Sequence, residues 1–97
     1  MKMQLMITKA ALEFYKREME LTDGDFIRFY ARYGGESNLQ AGFSLGMMVE
    51  KPTEPTIQVM NDGITFYVER DDEWYFDNNN LTVTYNDQRD ELEFQYN

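Results

Sequence analysis

The residue types that most often carry chemistry are missing from this sequence. Its 97 residues include no cysteine and no histidine. That excludes nucleophile–base pairs built on either residue, and it excludes thiolate or imidazole ligation of a metal. Ser37 and Ser44 are the only serines. A base for either would have to be a carboxylate or one of Lys2, Lys9, Lys16 and Lys51. With 18 acidic residues, some carboxyl pairs fall at glycosidase-like separations by chance, so their spacing carries no signal. Catalysis is not expected, and no cofactor is.

Three other constellations have a bland reading beside the functional one. The acidic run Glu69, Asp71, Asp72, Glu73 and Asp77 has the hard oxygen donors that Ca²⁺ or Mg²⁺ requires. As a calcium loop counted from Asp71 it puts Tyr75 at position five, Phe76 where glycine is needed and Thr82 where glutamate is needed, so a solvated charged turn is the preferred reading. Met1, Met3 and Met6 have the spacing of thioether copper ligands, but Met3 and Met6 also suit the start of a buried strand, and packing is preferred. Arg28, Tyr30 and Arg32 share one strand face, where two cations flanking a ring could clamp an anion. The alternative is pairing with the many carboxylates across the sheet, and this is favoured.

The elements that hold these residues follow from periodicity. Thr8 is a suitable cap for a helix over about Lys9 to Leu21, with Ala11, Leu12, Tyr15 and Met19 as its apolar stripe and Asp23-Gly24 as its stop. From Phe26 the period becomes two. Strands are predicted at Phe26–Tyr33, Phe43–Val49, Ile57–Met60, Ile64–Glu69, Leu81–Tyr85 and about Glu91–Tyr96, with a short first strand at Gln4–Ile7. Asn61-Asp62-Gly63 marks a hairpin, because these residues tolerate positive φ. Trp74-Tyr75-Phe76 reads as a short apolar patch between turns. Each strand is expected to have one apolar and one largely polar face, in antiparallel or mixed, half-solvated sheets. The inward set is then Ile27, Phe29, Leu45, Ile64, Phe66, Val68, Leu81, Val83, Leu92 and Phe94. The fold class is α+β, mostly β, as a single domain over residues 1–97.

The loop from Gly34 to Gly42 is longer than a tight hairpin needs. Its three glycines let backbone approach a ligand. A plain mobile hairpin end is an equal alternative. The candidate partner site is placed here, on Arg28, Arg32, Tyr33, Gly34, Gly35, Glu36 and Ser37.

Charge narrows the partner. The net charge is −9. Residues 1–49 carry six acidic and six basic side chains, and residues 50–97 carry twelve and three. Such a surface repels a phosphate backbone, so nucleic acid is not an expected partner. The 15% of aromatic residues argues against disorder. No apolar run has the length of a membrane span, and no signal peptide is recognisable. A cytoplasmic location and a protein partner are the expectations.

The order of segments resembles a known family. The segments are a helix, then Gly24-Asp25-Phe26-Ile27-Arg28-Phe29, Arg32-Tyr33-Gly34-Gly35, Gly42-Phe43-Ser44-Leu45-Gly46, Asp62-Gly63-Ile64-Thr65-Phe66-Tyr67-Val68-Glu69, Trp74-Tyr75-Phe76-Asp77 and Leu81-Thr82-Val83-Thr84-Tyr85. Together they resemble the HesB-like, or A-type iron–sulfur carrier, domain, and within it a short cysteine-free branch of Gram-positive bacteria. The resemblance covers roughly Ile7 to Tyr96. It implies a compact β-sandwich or pseudo-barrel with one N-terminal helix, and homo-oligomers, since members commonly form dimers or tetramers. Family carriers hold their cluster with three cysteines. The first would fall near Glu36, in the Gly34-Gly35-Glu36-Ser37 turn. The Cys-Gly-Cys pair has no counterpart up to Asn97. The resemblance therefore implies the scaffold without the cluster ligands: a non-enzymatic binding or accessory module linked to iron–sulfur metabolism. The alternative is a metal-handling protein that uses oxygen ligands such as Glu36 and the acidic turn.

Overall fold

A computed structural model describes residues 3–35 and 39–97. The strands are β1 (Leu5–Ile7), β2 (Phe26–Tyr33), β3 (Phe43–Val49), β4 (Pro55–Asn61), β5 (Ile64–Glu69), β6 (Leu81–Asn86) and β7 (Glu91–Tyr96). Helix α1 (Lys9–Glu18) follows β1, and the one-turn helix α2 (Glu73–Phe76) follows β5 through a 3₁₀ turn at Arg70–Asp72. The architecture is α+β, mostly β. One sheet has the order β1-β6-β7 and the other the order β3-β2-β5-β4. Both are mixed: β1 with β6 and β2 with β5 are parallel, and the remaining pairs are antiparallel. Among the described residues no helix is long and apolar enough to cross a membrane.

One apolar cluster joins the two sheets and both helices. Ile27, Phe29, Phe66 and Val68 enter it from the four-stranded sheet, Leu5, Leu81 and Val83 from the other, Ala11, Leu12 and Tyr15 from α1, and Tyr75 and Phe76 from α2. The period-two phase holds for the residues predicted inward. Seven of the ten residues predicted inward are buried, and Leu45, Leu92 and Phe94 pack against the cluster while staying partly exposed. Those three lie on β3 and β7, which end the sheet orders and so lack a neighbour on one side.

Three local expectations are corrected. Helix α1 ends at Glu18, three residues before Leu21. The Thr8 hydroxyl caps its start by accepting from the Ala11 N–H, and the Met19 N–H closes its last turn on the Tyr15 carbonyl. Glu20 then takes a left-handed φ of 53°, which turns Leu21 into the core. Gly24 is therefore not the helix stop. Its N–H donates to the Gly63 carbonyl at 2.8 Å, tying this turn to the β4–β5 hairpin. Asp62 and Gly63 form that hairpin's two-residue turn, both at positive φ, as the type I′ geometry requires.

The second correction is β5, which is buried on both faces. Its outer residues Tyr67 and Glu69 are shielded because the connector after β3 folds over them. The Tyr67 hydroxyl donates to the Glu50 carbonyl at 2.6 Å. The Glu69 carboxylate accepts from the Thr53 N–H and hydroxyl at 2.8 and 2.7 Å, and from the Glu54 N–H at 2.8 Å. The third correction is the acidic run. Glu69 and Asp72 are buried polar groups with partners, not parts of a solvated turn.

Candidate functional site

The β2–β3 hairpin outruns its own sheet. Strand β2 pairs with β5 only from Phe26 to Phe29, whereas its pairing with β3 continues to Tyr33 opposite Phe43. Beyond Phe29 the hairpin therefore continues without β5 beside it, and although Ala31, Leu45 and Phe43 still pack against the core, its end at Tyr33 does not. Tyr33 lies in the same phase as Ile27 and Phe29, yet it is 87% exposed where they are fully buried. Phe43 is half-buried and meets Tyr33 edge-on, with ring centres 5.7 Å apart. Its other neighbour is the half-exposed Trp74, also edge-on at 5.0 Å. Behind Trp74 the buried rings of Tyr75 and Phe76 continue the series into the core, at 6.2 and 5.1 Å. The result is a braced aromatic ridge whose outer end faces solvent. Edge-to-face packing of this kind adds about 0.5–1.5 kcal/mol per pair beyond area burial, which favours this arrangement of the rings.

The chain turns back beyond these strands at Gly34 and Gly42, where the Gly34 N–H donates to the Gly42 carbonyl at 2.7 Å. Gly34, Gly35 and Gly42 all have positive φ. Gly35 also sits against Ser44 so closely that a Cβ there would lie 2.8 Å from the Ser44 hydroxyl. Glu36 and Ser37 lie outside the described residues.

The two arginines part company. Arg28 is engaged: its guanidinium donates to the Asp72 carboxylate at 2.8 Å and pairs with Glu50 at 3.3 Å. Asp72 also accepts from the Ala31 N–H at 3.2 Å, so it pins the 3₁₀ turn to β2. The Asp72 and Glu50 carboxylates hold the already high Arg28 pKa higher still, against the opposing effect of burial. Carboxylates thus account for Arg28, but they come from the connector after β3 and from the 3₁₀ turn and not from a neighbouring strand. Arg32 lies on the same face but is exposed, and among the described residues it makes no ion pair. Beside Arg28, a polar cavity of about 290 Å³ is lined by Thr53, Glu54, Glu69, Arg70 and Asp71. Its carboxylate Glu69 is depressed below the ordinary glutamate value: burial opposes this, and the three hydrogen bonds from Thr53 and Glu54 outweigh it.

Among the described residues no three acidic side chains gather as they would around an ion. Met3 is buried and Met6 is 60% exposed, so their thioethers occupy different surroundings. Sequence reasoning missed Phe43 and Trp74 as surface residues. The signal was present: Phe43 ends a strand beside a long loop, and Trp74, the one tryptophan, stands between Glu73 and Asp77.

Comparison with known proteins places the chain in a family. The model of a family described as iron-sulphur cluster biosynthesis matches residues 3–97. A pyruvate dehydrogenase inhibitor of Bacillus subtilis is 48% identical over 94 residues, which cover 97% of this chain and 99% of that protein. An uncharacterized protein of Staphylococcus saprophyticus is 36% identical over 95 residues, 95% of this chain and 97% of the relative. One from Staphylococcus aureus strain USA300 is 34% identical with the same coverage. No solved structure matches. The chain belongs to the iron-sulphur cluster biosynthesis family, the HesB-like family that its segments resemble, and does so without a single cysteine.

Proposed function

We propose that this chain acts as one non-enzymatic, protein-binding domain, and that its partner is pyruvate dehydrogenase, which it inhibits by binding. The docking site is the overhanging hairpin end: Arg32, Tyr33, Gly34 and Gly35, with Glu36 and Ser37 of the adjoining loop, braced by Arg28 through its ion pairs. The observation that carries this reading is the exposure of Tyr33 at 87% on a ridge of rings that continues through Phe43 and Trp74. Tyrosine, tryptophan and arginine are the residues that most often dominate binding energy at interfaces. Two further points support it. The family's cluster chemistry needs soft thiolates, which this sequence lacks. The Bacillus subtilis relative, similar over nearly its whole length, bears the name of an inhibitor of that enzyme.

The test is binding and inhibition with purified Bacillus subtilis pyruvate dehydrogenase. Wild-type protein should bind saturably and lower the enzyme's rate. Tyr33→Ala and Arg32→Glu, each first shown to melt like wild type, should weaken binding by about tenfold or more, the size of an interface hot spot. Wild-type affinity in both variants would place the contact elsewhere. A wild-type protein that neither binds nor inhibits would remove this enzyme as the partner.

A further inference from the structure

We infer that the cleft beside Trp74 receives a lysine or arginine side chain of the protein partner. This rests on the docking reading above and names the chemistry that the ridge recognises. The cleft has a volume of about 390 Å³ and is lined by Met3, Glu73, Trp74, Asp77 and Asn78. Its shape comes from α2. In that single turn Tyr75 and Phe76 are fully buried, which leaves Trp74 directed outward and 48% exposed. Asp77 and Asn78 then take left-handed φ values of 47° and 63° and fold the chain back along the cleft's rim. The Asn79 side chain secures this return by donating to the Phe76 carbonyl at 3.0 Å.

The lining has two kinds of surface. Met3 and the Trp74 ring are apolar, which suits the methylene stem of a long cationic side chain. Glu73 and Asp77 add two carboxylates to the same lining. Among the described residues neither makes an ion pair; the seven pairs formed there involve other acidic groups. Among the described residues no cation thus pairs with them, on a chain whose net charge is −9. A cation over an indole face gains from the ring quadrupole as well as from the acids, so the site discriminates by charge and not only by shape. An anionic occupant would meet both carboxylates. The occupant belongs to a protein because the cleft opens beside the Tyr33–Phe43–Trp74 ridge, so one partner surface covers both.

Trp74 provides a single reporter, since the chain has one tryptophan. The indole N–H resonance of ¹⁵N-labelled protein is followed while a hexapeptide of alternating lysine and alanine is added. The same peptide with glutamine in place of lysine is the control. The lysine peptide should shift the resonance saturably, the glutamine peptide should not, and raising the salt should weaken the effect. Glu73→Gln and Asp77→Asn, verified by melting, should each weaken binding about two- to fivefold, the range of exposed charge pairs. Equal shifts with both peptides, or wild-type titrations in both variants, would overturn the inference. The enzyme partner separates the two claims. If pyruvate dehydrogenase binding depends on Tyr33 but is indifferent to Glu73→Gln and Asp77→Asn, the cleft is not a contact and the docking reading stands. If the lysine peptide behaves as expected while the enzyme does not bind, the cleft stands and the enzyme is not the partner.

Discussion

Replacing Phe66 by alanine measures how much of the fold hangs on the centre of the four-stranded sheet. Phe66 is fully buried on β5, the strand covered on both faces. It is flanked by Ile27 and Val59 across the sheet. Its ring lies 5.1 Å from that of Tyr15 on α1 and 6.1 Å from that of Phe29. Burying a phenyl side chain removes about 150–250 Å² from water, which at ~25 cal/mol per Å² amounts to about 4–6 kcal/mol. Alanine keeps part of that, while the cavity and the two lost ring contacts add to the cost. The expected loss is about 3–5 kcal/mol. Native domains have only about 5–15 kcal/mol in total, so the variant is marginal. Phe66→Leu refills most of the space and should cost about 1–2 kcal/mol, keeping the series measurable if alanine does not fold. The assay is urea unfolding followed by Trp74 fluorescence. At ~4–8 °C per kcal/mol for a domain of this size, the alanine variant should also melt at least about 12 °C lower. A loss below about 1 kcal/mol would mean that β5 does not present this face to the core, since a slip of one residue exchanges the whole set.

Three further outcomes follow from single contacts. The depressed pKa of Glu69 stabilises the fold above the ordinary glutamate value and ceases to do so as pH falls through the folded value. Glu69→Gln should therefore be less stable than wild type at pH 7, by denaturant titration, and the gap should narrow below about pH 4.5; a gap independent of pH would refute the assignment. Gly46 lies opposite Tyr30, and a Cβ on it would sit 2.4 Å from the ring. Gly46→Ala should cost about 1–2 kcal/mol, and most of that should vanish in a Tyr30→Ala background when the two are combined in a double-mutant cycle. Anaerobic treatment with iron and sulfide should leave the protein colourless, because no thiolate is present to hold a cluster. A stoichiometric visible absorption band surviving desalting would contradict this.

What was legible in the sequence was local periodicity, and what was not was the reach of one element over another. The bounds of β2, β3 and β5 follow from alternation, and the Asp62-Gly63 turn from its chemistry. The covering of Tyr67 and Glu69 by residues 50–54 left no periodic trace, because both look like the polar phase of a half-solvated strand. The same is true of Arg28 and Asp72, 44 positions apart. The candidate site illustrates the limit most clearly. Phe29 and Tyr33 belong to one alternation and are indistinguishable by phase, yet one is buried and the other almost wholly exposed. The difference is that β5 stops pairing with β2 at Phe29 while β3 goes on to Phe43. Beyond that point Ala31 and Phe43 still pack against the core, while Tyr33 at the end keeps the pattern of a core residue with nothing over it. A hairpin that outruns its sheet therefore converts a folding pattern into an interaction surface, and it does so with rings, whose low conformational freedom makes them effective anchors once exposed.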